Sequence, residues 1–481
     1  MPSDARRPEH RRRLELVTFL GLLVVVFVAK FPALDLPYYW DEFGYVTAVN
    51  WLSGESLVRA LPGFRPADAF WGHPPGLHVM LAVLFKGFGP SRSLAHLLIV
   101  GFAFVGVYFT YRLGALIYDR PAGIYAALAL FLCPVYFAQS AMFLADIPVA
   151  ALGVTAVYLS LRGRDVGYLV TASALVLVKE TGAAVVAALV LVRLWNERGR
   201  LRQARYALLR DAAPLLILGG FLGWQKLVAG EFFFIFAETP FKFIDVGWAI
   251  WWRKLCELTL FLFWDQWRFV LSALILVGLV WQQAGRRELL LFALIVVASA
   301  YPFVFIYFLR RYLLPALPFF YVAGLGALTT LLPSRRWQVS AVAVMLALSV
   351  VSLADRRVRG NGEWDMSYLS VIGTAQSMYR YLGATYPGSR VASAWPDNVN
   401  LVQPELGYVD KPMKDVEYRG EPALASFDVL LVSWPSAGYA LRQYALGQVA
   451  QGTLRLEKRV ENEGAFSELY VKASEPTPRR E

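Results

Sequence analysis

The chain has 481 residues, of which 57% are hydrophobic and only 17% are charged, and its mean hydropathy is +0.47. Because a soluble protein carries about 25% charged residues, this composition excludes an ordinary soluble fold and indicates a membrane protein. The net charge of +11 comes from basic groups that lie in short segments between apolar runs. That pattern sets membrane topology and is not typical of nucleic-acid binding. Two cysteines, Cys133 and Cys256, indicate neither a metal cluster nor a disulfide.

The first predicted element is a transmembrane helix over residues 14–34. Five arginines precede it within residues 6–13. A cleaved signal peptide has the same order, but this apolar run is too long for a signal core and no small-residue cleavage site follows it. We therefore predict an uncleaved first span, with the arginines held in the cytoplasm.

Ten further apolar runs could cross the membrane. They lie near residues 93–111, 121–140, 146–161, 166–178, 181–195, 212–229, 259–281, 289–308, 313–332 and 338–354. Each predicts a helix, because an unpaired amide in lipid costs several kcal/mol. The run Gly76 to Phe88 is short and contains His78 and Lys86, so we place it at the membrane interface.

Charge fixes the predicted orientation. With eleven spans, the basic loops near residues 112–120, 162–164, 193–210, 286–287 and 335–336 all fall on the N-terminal side. This agrees with the excess of basic residues in cytoplasmic loops. The prediction is an integral protein of the plasma (inner) membrane, with a cytoplasmic N-terminus and an extracytoplasmic C-terminus.

Three segments are predicted outside the membrane. Residues 35–92 form the first outer loop with interfacial helices, and the aromatic-rich residues 230–258 suit an amphipathic helix at the interface. Residues 1–354 are thus one transmembrane module. Residues 355–481 are polar, with a helical pattern near 366–385 and β-type runs at 390–395, 427–434, 453–460 and 466–472. They predict a small extracytoplasmic α/β domain.

Asp41 and Glu42 follow the first span directly, in the aromatic stretch 38–45. One interpretation is a solvated loop inside an interfacial aromatic belt. The other is that Asp41 is a general base at the membrane face. His73 stands in Gly72-His73-Pro74-Pro75-Gly76, where it is either a spare histidine or a phosphate or sugar contact at a helix N-terminus.

Three more positions carry charge near predicted spans. Asp146 precedes Pro148 and could simply cap its helix. Lys179 lies between two half-length apolar runs, where an ionisable residue is a functional candidate unless it snorkels to the surface. Arg310 and Arg311 lie at the predicted outer face, against the positive-inside bias. An anion outside the membrane would explain them, since guanidinium groups suit phosphate oxygens.

Together these motifs resemble the GT-C membrane glycosyltransferases, specifically the branch of dolichyl-phosphate-mannose protein mannosyltransferases and aminoarabinose transferases. The resemblance covers about residues 14–354. Its motifs, in order, are Asp41-Glu42, His73-Pro74-Pro75, Asp146, Lys179, and Arg311-Tyr312-Leu313-Leu314-Pro315-Ala316-Leu317-Pro318. Gly44 replaces an arginine of the aminoarabinose branch and Gly72-His73 replaces its Glu-Lys, which argues against lipid A as the acceptor.

The resemblance implies roles for the acidic residues. Asp41 would be the base or acceptor-orienting carboxylate, Glu42 would support it, and Asp146 would be a second acidic member of the cavity.

It also implies the substrate contacts. Lys179 and Arg311 would hold the phosphate of a polyprenyl-phosphate sugar, and Tyr45 matches the tyrosine of an Asp-Glu-x-x-Tyr pattern. Arg310, Tyr312 and His73 complete the predicted substrate-binding set.

The implied function is inverting transfer of a sugar from that lipid donor to an extracytoplasmic protein, lipid or glycan. No DxD-type nucleotide-sugar motif is visible, so no metal ligand is assigned, although a divalent cation near the acidic residues stays open. The alternatives are a transporter or flippase, which also uses broken helices and charges in the membrane, and a non-catalytic scaffold. In the last domain, Trp395, Trp434 and Tyr408 either stack on sugars or form the core.

Overall fold

The structure is a computed structural model that describes residues 6–64, 70, 73–230, 247–281, 286–306, 308–358, 360, 362–413, 416–418, 426–434 and 438–473. The chain forms two compact units. The membrane unit comprises Met1–Leu34 and Gly44–Ser352, and the C-terminal unit comprises Asp35–Phe43 and Leu353–Glu481. The division near residue 353 lies close to the predicted boundary. It differs in one respect, because the segment after the first helix belongs to the C-terminal unit.

Helices occupy the predicted apolar runs. The helices before residue 355 are α1 (Arg6–Lys30), α2 (Glu42–Gly54), α3 (Gly76–Phe88), α4 (Arg92–Ile117), α5 (Arg120–Phe131), α6 (Pro134–Gln139), α7 (Asp146–Leu161), α8 (Asp165–Val178), α9 (Ala183–Asn196), α10 (Leu201–Ala229), α11 (Trp248–Phe263), α12 (Arg268–Trp281), α13 (Arg286–Ala300), α14 (Leu317–Leu331) and α15 (Arg335–Ala354). Residues 231–246, the larger part of the predicted interfacial segment 230–258, lie outside the described residues.

Several of these helices can cross a membrane by length and composition. Within the described ranges, five stretches qualify: Arg12–Ala33, Arg92–Ile117, Arg202–Ala229, Arg310–Leu331 and Arg335–Ala354. The pair α11 and α12 makes a sixth if it counts as one broken span, and α3, α7, α8 and Glu288–Val304 are shorter apolar helices. The protein is therefore a multi-pass membrane protein, and the number eleven stays a prediction.

Two of the predicted continuous helices are broken, so those two predictions were wrong. The run 121–140 divides at Cys133 into α5 and α6, because Pro134 lacks the N–H that a continuing helix needs. The run 259–281 divides into α11 and α12, which meet at 83°. At this bend, Gln266 has a φ of 58°, and the guanidinium of Arg268 donates to the carbonyl of Phe261 over 3.0 Å. The arginine thus satisfies a carbonyl that the break leaves without a helical partner.

The core of the membrane unit centres on α14, whose residues from Leu317 to Leu328 are all buried. It packs against α4, α5 and α12. Small residues also allow the neighbouring helices α4 and α5 to approach each other closely. A Cβ added at Gly123 of α5 would lie 2.3 Å from the carbonyl oxygen of Tyr111 in α4. Such small contact residues are how membrane helices gain van der Waals contact without a hydrophobic driving force.

The C-terminal unit contains a five-stranded mixed sheet with the order β2-β1-β3-β5-β4. Its elements are α16 (Tyr368–Thr385), β1 (Val391–Ser393), α17 (Asp397–Asn400), β2 (Val416–Tyr418), β3 (Val429–Ser433), α18 (Gly438–Ala450), β4 (Leu454–Asn462) and β5 (Ala465–Lys472). Strand β1 is parallel to β2 and β3, whereas β5 runs antiparallel to β3 and β4. Four strands coincide with predicted β-type runs, and β2 does not. An extracytoplasmic location for this unit stays a prediction.

Candidate active site

A buried carboxylate joins two cations in the membrane unit. Asp146 is the first residue of α7, and its Oδ1 lies 2.8 Å from Nζ of Lys179. Its Oδ2 lies 3.4 Å from Nε of Arg311. The three residues are 4%, 7% and 4% exposed. The helix-cap interpretation of Asp146 was wrong, because Ala145 is the N-cap residue and makes no side-chain cap bond.

Interrupted helices bring these side chains together. Lys179 ends α8 in an extended conformation, and a 3-10 turn, Glu180–Gly182, leads into α9. Arg311 lies on the 3-10 helix Arg310–Ala316, which leads into α14. Such breaks within membrane proteins occur where backbone lines a cavity or is buried in protein, so polar groups can converge there.

Aromatic rings surround the two cations. Nζ of Lys179 lies 4.6 Å from the ring centroid of Tyr312, and the guanidinium carbon of Arg311 lies 5.6 Å from it. The ring of Tyr45 in α2 stacks on that of His78, with 4.9 Å between the ring centroids. The Tyr45 hydroxyl interacts electrostatically with Lys179, Asp146 and Arg311. The predicted residues Tyr45, Asp146, Lys179, Arg311 and Tyr312 therefore lie in one cluster, although their roles stay predictions.

Two cations share one carboxylate in this cluster, and the carboxylate of Glu180 follows Lys179 directly in the chain. Burial alone would lower the pKa of the Lys179 ammonium, but the carboxylate of Asp146 outweighs burial and raises it. Lys179 therefore stays protonated at neutral pH. Ammonium and guanidinium groups together suit phosphate oxygens.

His73 contacts Glu180, which follows Lys179 in the break between α8 and α9. Its Nδ1 lies 2.9 Å from Oε2 of Glu180. Burial alone would raise the pKa of the Glu180 carboxyl, but His73 and Lys179 outweigh burial and lower it to about 2. The His73 motif packs closely there, because a Cβ at Gly76 would lie 2.5 Å from the carbonyl oxygen of Leu177 in α8. The neighbours at 71 and 72 lie outside the described residues.

Arg310 points toward a different partner from Arg311. Its Nε lies 3.8 Å from a carboxylate oxygen of Glu257 in α11, and its guanidinium carbon lies 5.5 Å from the ring centroid of Phe261. Both the carboxylate and the arginine are partly exposed, and exposed pairs of this kind contribute little stability. The two adjacent arginines thus have separate surroundings.

Asp41 lies in a turn of the C-terminal unit, and Glu42 begins α2 directly after it. The backbone N–H of Tyr39 donates to Oε2 of Glu42 over 2.7 Å, and the N–H of Glu42 returns a bond to the carbonyl of Tyr39 over 3.2 Å. Glu42 is 1% exposed and Asp41 is half-buried. Glu42 therefore closes the turn that presents Asp41. The convergence of Asp41 with Lys179 and Arg311 stays a prediction.

Two charged partners, one partly exposed and one buried, were missed from the sequence. Glu180 was not among the predicted site residues, yet its carboxylate contacts His73. Lys30, at the end of α1, is 1% exposed and bonds to the carbonyl of Phe137, whose ring centroid lies 3.4 Å from its Nζ. A signal was present for Lys30, because a lysine inside the apolar run 14–34 is costly unless it has a partner.

The described part of the chain contains no group of three or more His, Cys, Asp or Glu side chains that could hold a metal ion. In the cluster itself, both oxygens of Asp146 already face cations. A divalent cation there would face repulsion from two positive side chains, so the residues do not fit a metal site.

Known structures share this fold. No protein-family model matches the sequence, and no curated protein shows significant similarity to it. The structure is similar in fold to solved membrane glycosyltransferases. In particular, ArnT from Cupriavidus metallidurans bound to undecaprenyl phosphate aligns at 15% identity over 94% of this chain and 97% of that one, with a TM-score of 0.57.

Two further structures are similar over most of this chain. Apo ArnT from Cupriavidus metallidurans aligns at 15% identity and a TM-score of 0.54, with the same 94% and 97% coverage. The arabinofuranosyltransferase AftD from Mycobacteria aligns at 13% identity and a TM-score of 0.45, over 96% of this chain and 40% of AftD. At such identities the likeness is one of fold.

Proposed function

We propose that the protein is an integral-membrane glycosyltransferase that moves a sugar from a polyprenyl-phosphate donor to an extracytoplasmic acceptor. Two observations support the proposal. The fold is shared with ArnT, whose solved structure holds undecaprenyl phosphate. The buried cluster of Lys179, Arg311 and Asp146 places an ammonium and a guanidinium group on one carboxylate, and both cations suit phosphate oxygens. Of these, the paired cations carry the proposal, since fold alone does not fix function.

Lys179 and Arg311 act on the leaving group. When the bond between the anomeric carbon and the phosphate oxygen breaks, that oxygen keeps the electron pair and the lipid phosphate gains one negative charge. Two preorganised cations in a buried site stabilise this developing charge, which is often the largest catalytic contribution. Asp146 keeps the two cations in place when the donor is absent, and the ring of Tyr312 forms one wall.

Asp41 acts on the acceptor. Its carboxylate takes the proton of an acceptor hydroxyl as the hydroxyl oxygen attacks the anomeric carbon. Attack on the face opposite the phosphate inverts the configuration, as a base and a separate leaving-group partner do in inverting glycosidases. Glu42 holds the turn, Tyr45 lines the cation cluster, and His73 contacts the substrate with its orientation fixed by Glu180. Arg310 contributes from the edge of the site.

The first experiment measures binding of undecaprenyl phosphate to the purified protein in liposomes. Lys179→Ala should weaken binding at least tenfold, because a charged hydrogen bond is worth about 1.5 to 3 kcal/mol. Lys86→Ala is the matched control, since Lys86 is exposed and, among its described contacts, bonds to the backbone carbonyls of Ser53 and Glu55 at the end of α2. Equal affinity of Lys179→Ala and wild type would contradict the phosphate site.

The second experiment identifies the reaction. Mass spectrometry of surface glycans and glycoproteins should show one sugar missing from a deletion strain, restored by the wild-type gene and by Asp35→Asn. Asp35 is the control because it is exposed in the same segment. Asp41→Asn should not restore the sugar although the protein accumulates in the membrane. Solute uptake into proteoliposomes with an unchanged glycan profile would instead favour the transporter alternative.

A further inference from the structure

The segment that carries Asp41 is built into the C-terminal unit. The backbone N–H of Tyr38 donates to the carbonyl of Leu406 over 3.0 Å. The rings of Tyr38 and Tyr39 are each 3% exposed, and the ring of Tyr39 lies 5.9 Å from that of Tyr368 in α16. The residues before Asp41 are therefore held by the part of the chain that follows residue 353, although they adjoin the first helix in sequence.

One side chain contacts the residues on both sides of Asp41. The ring of Trp395 lies 4.3 Å from that of Trp40, edge to face at 74°, and 5.9 Å from that of Phe43. Trp395 follows β1 and precedes α17, so the sheet fixes its backbone. Edge-to-face aromatic pairs contribute beyond their buried area, which makes Trp395 a specific support for this turn.

The turn requires support because its backbone is strained. Trp40 has a φ of 54°, a left-handed conformation that is unfavourable for a residue with a Cβ. Strain of this kind persists only where the surroundings hold it, and it occurs preferentially at functional sites. Glycine makes room for the neighbouring ring, since a Cβ at Gly362 would lie 3.1 Å from the hydroxyl oxygen of Tyr39.

We propose that Trp395 is a positioning residue that fixes the carboxylate of Asp41 by packing against Trp40 and Phe43. The inference rests on the proposed role of Asp41 as the base. It assigns the C-terminal unit a direct part in the reaction, in addition to any part in acceptor choice. Trp395 acts through Asp41 and not on the phosphate, so its loss should leave lipid-phosphate binding intact while it reduces transfer.

The test compares Trp395→Ala with Trp434→Ala in the full-length protein. Trp434 belongs to the same unit but packs on Phe466, at 6.2 Å between rings. Amide hydrogen exchange over residues 38–43 should accelerate at least tenfold in Trp395→Ala and stay unchanged in Trp434→Ala. Binding of undecaprenyl phosphate should remain within twofold of wild type in both variants. Transfer, measured as the surface sugar restored to a deletion strain, should fall at least tenfold in Trp395→Ala only.

The conservative Trp395→Phe variant should recover at least half of the transfer, since it keeps an aromatic edge. If Trp395→Ala does not accumulate in the membrane, Trp395→Leu takes its place in each measurement. Unchanged exchange over residues 38–43, or faster exchange with full transfer, would overturn the positioning role. Full transfer by Asp41→Asn would overturn the proposed base itself, and the exchange result would still show whether Trp395 holds the turn.

Discussion

Asp146 is the residue on which the cation cluster depends. It lies between Lys179 and Arg311 in a buried site, so its removal leaves two positive charges without their shared partner. Removing one member of a buried ion pair typically costs 3 to 5 kcal/mol, about as much as a large core truncation. The stability and the binding properties of the cluster should therefore respond together to this one side chain.

We expect Asp146→Asn to lower the free energy of unfolding by about 3 kcal/mol, measured by denaturant unfolding in detergent. Undecaprenyl phosphate should restore part of the loss, because its phosphate supplies the missing negative charge. Asp119→Asn is the control. Asp119 caps α5 at the N–H of Ala122, and asparagine caps a helix equally well. Loss of the same size in both variants would contradict this account of Asp146.

Asp397 makes the C-terminal unit sensitive to pH. Burial raises the pKa of its carboxyl to about 6, although hydroxyl bonds from Tyr379 and Ser433 lower it in part. A carboxyl whose pKa is higher in the folded than in the unfolded state binds more protons when folded. Stability is then greatest below the unfolded value near 4 and declines as the pH rises to about 6.

We expect this decline to total about 3 kcal/mol between pH 4 and pH 6, since each pKa unit corresponds to about 1.4 kcal/mol. Asp397→Asn should remove it, because asparagine does not ionise and still accepts the bond from Tyr379. Hydrogen exchange of α16 and β1 amides as a function of pH measures the effect. A wild-type profile that stays flat over this interval would contradict the predicted titration.

At the scale of elements, the junction of α3 with α8 depends on one glycine. A Cβ at Gly76 would lie 2.5 Å from a backbone carbonyl of α8, two residues before Lys179, whereas a Cβ at Gly87 in the same helix meets open space. Backbone does not yield as a flexible side chain does. The packing of α3 therefore constrains the break that presents Lys179.

We expect Gly76→Ala to lower the thermal unfolding midpoint in detergent and to weaken undecaprenyl phosphate binding several-fold, through displacement of α8. Overpacking of this kind costs about 1 to 3 kcal/mol. Gly87→Ala should be neutral or stabilising by up to about 1 kcal/mol, because alanine favours the helix more than glycine does. Similar midpoints for the two variants would show that the contact is not tight.

Apolar runs predicted most helices but not their interruptions. Hydrophobicity reports composition alone, so it located the apolar run 121–140 but not the break within it. Pro134 was a visible signal for that break, because proline interrupts a helix. The bend between α11 and α12 had no such signal, because it depends on Gln266 and on the bond from Arg268 to Phe261. The strand β2 was missed because its three residues, Val416–Tyr418, are flanked in sequence by the charged residues Asp415 and Arg419, whereas the equally short β1 is part of a longer apolar run.

The order of the motifs along the chain was a better guide to which residues contact each other than any single motif was. Asp146, Lys179 and Arg311 come from three distant stretches, and the resemblance grouped them before the structure did. The pairing of His73 with Glu180 could not be read from the chain, because 107 positions separate them and neither lies in a periodic element. Whether Asp41 joins the three stays a prediction.

At the scale of the whole molecule, the predicted orientation can be tested by labelling. We expect a membrane-impermeant maleimide to react in intact cells with Ser377→Cys in the C-terminal unit, and with Gly199→Cys only after permeabilisation. Both positions are exposed, and Cys133 and Cys256 are first replaced by alanine. Labelling of Gly199→Cys in intact cells would reverse the orientation, since the basic segment 193–210 would then lie outside.

The contact between Tyr38 and Leu406 also has a consequence for how the protein is made. Roughly 300 residues separate the two parts of the C-terminal unit, so at 5 to 20 residues per second the ribosome needs roughly 15 to 60 s to supply the second part. During that interval the chain still lacks the residues that pack against the turn around Asp41, such as Leu406 and Trp395. A chain that ends after α15 would thus lack the residues that hold this turn.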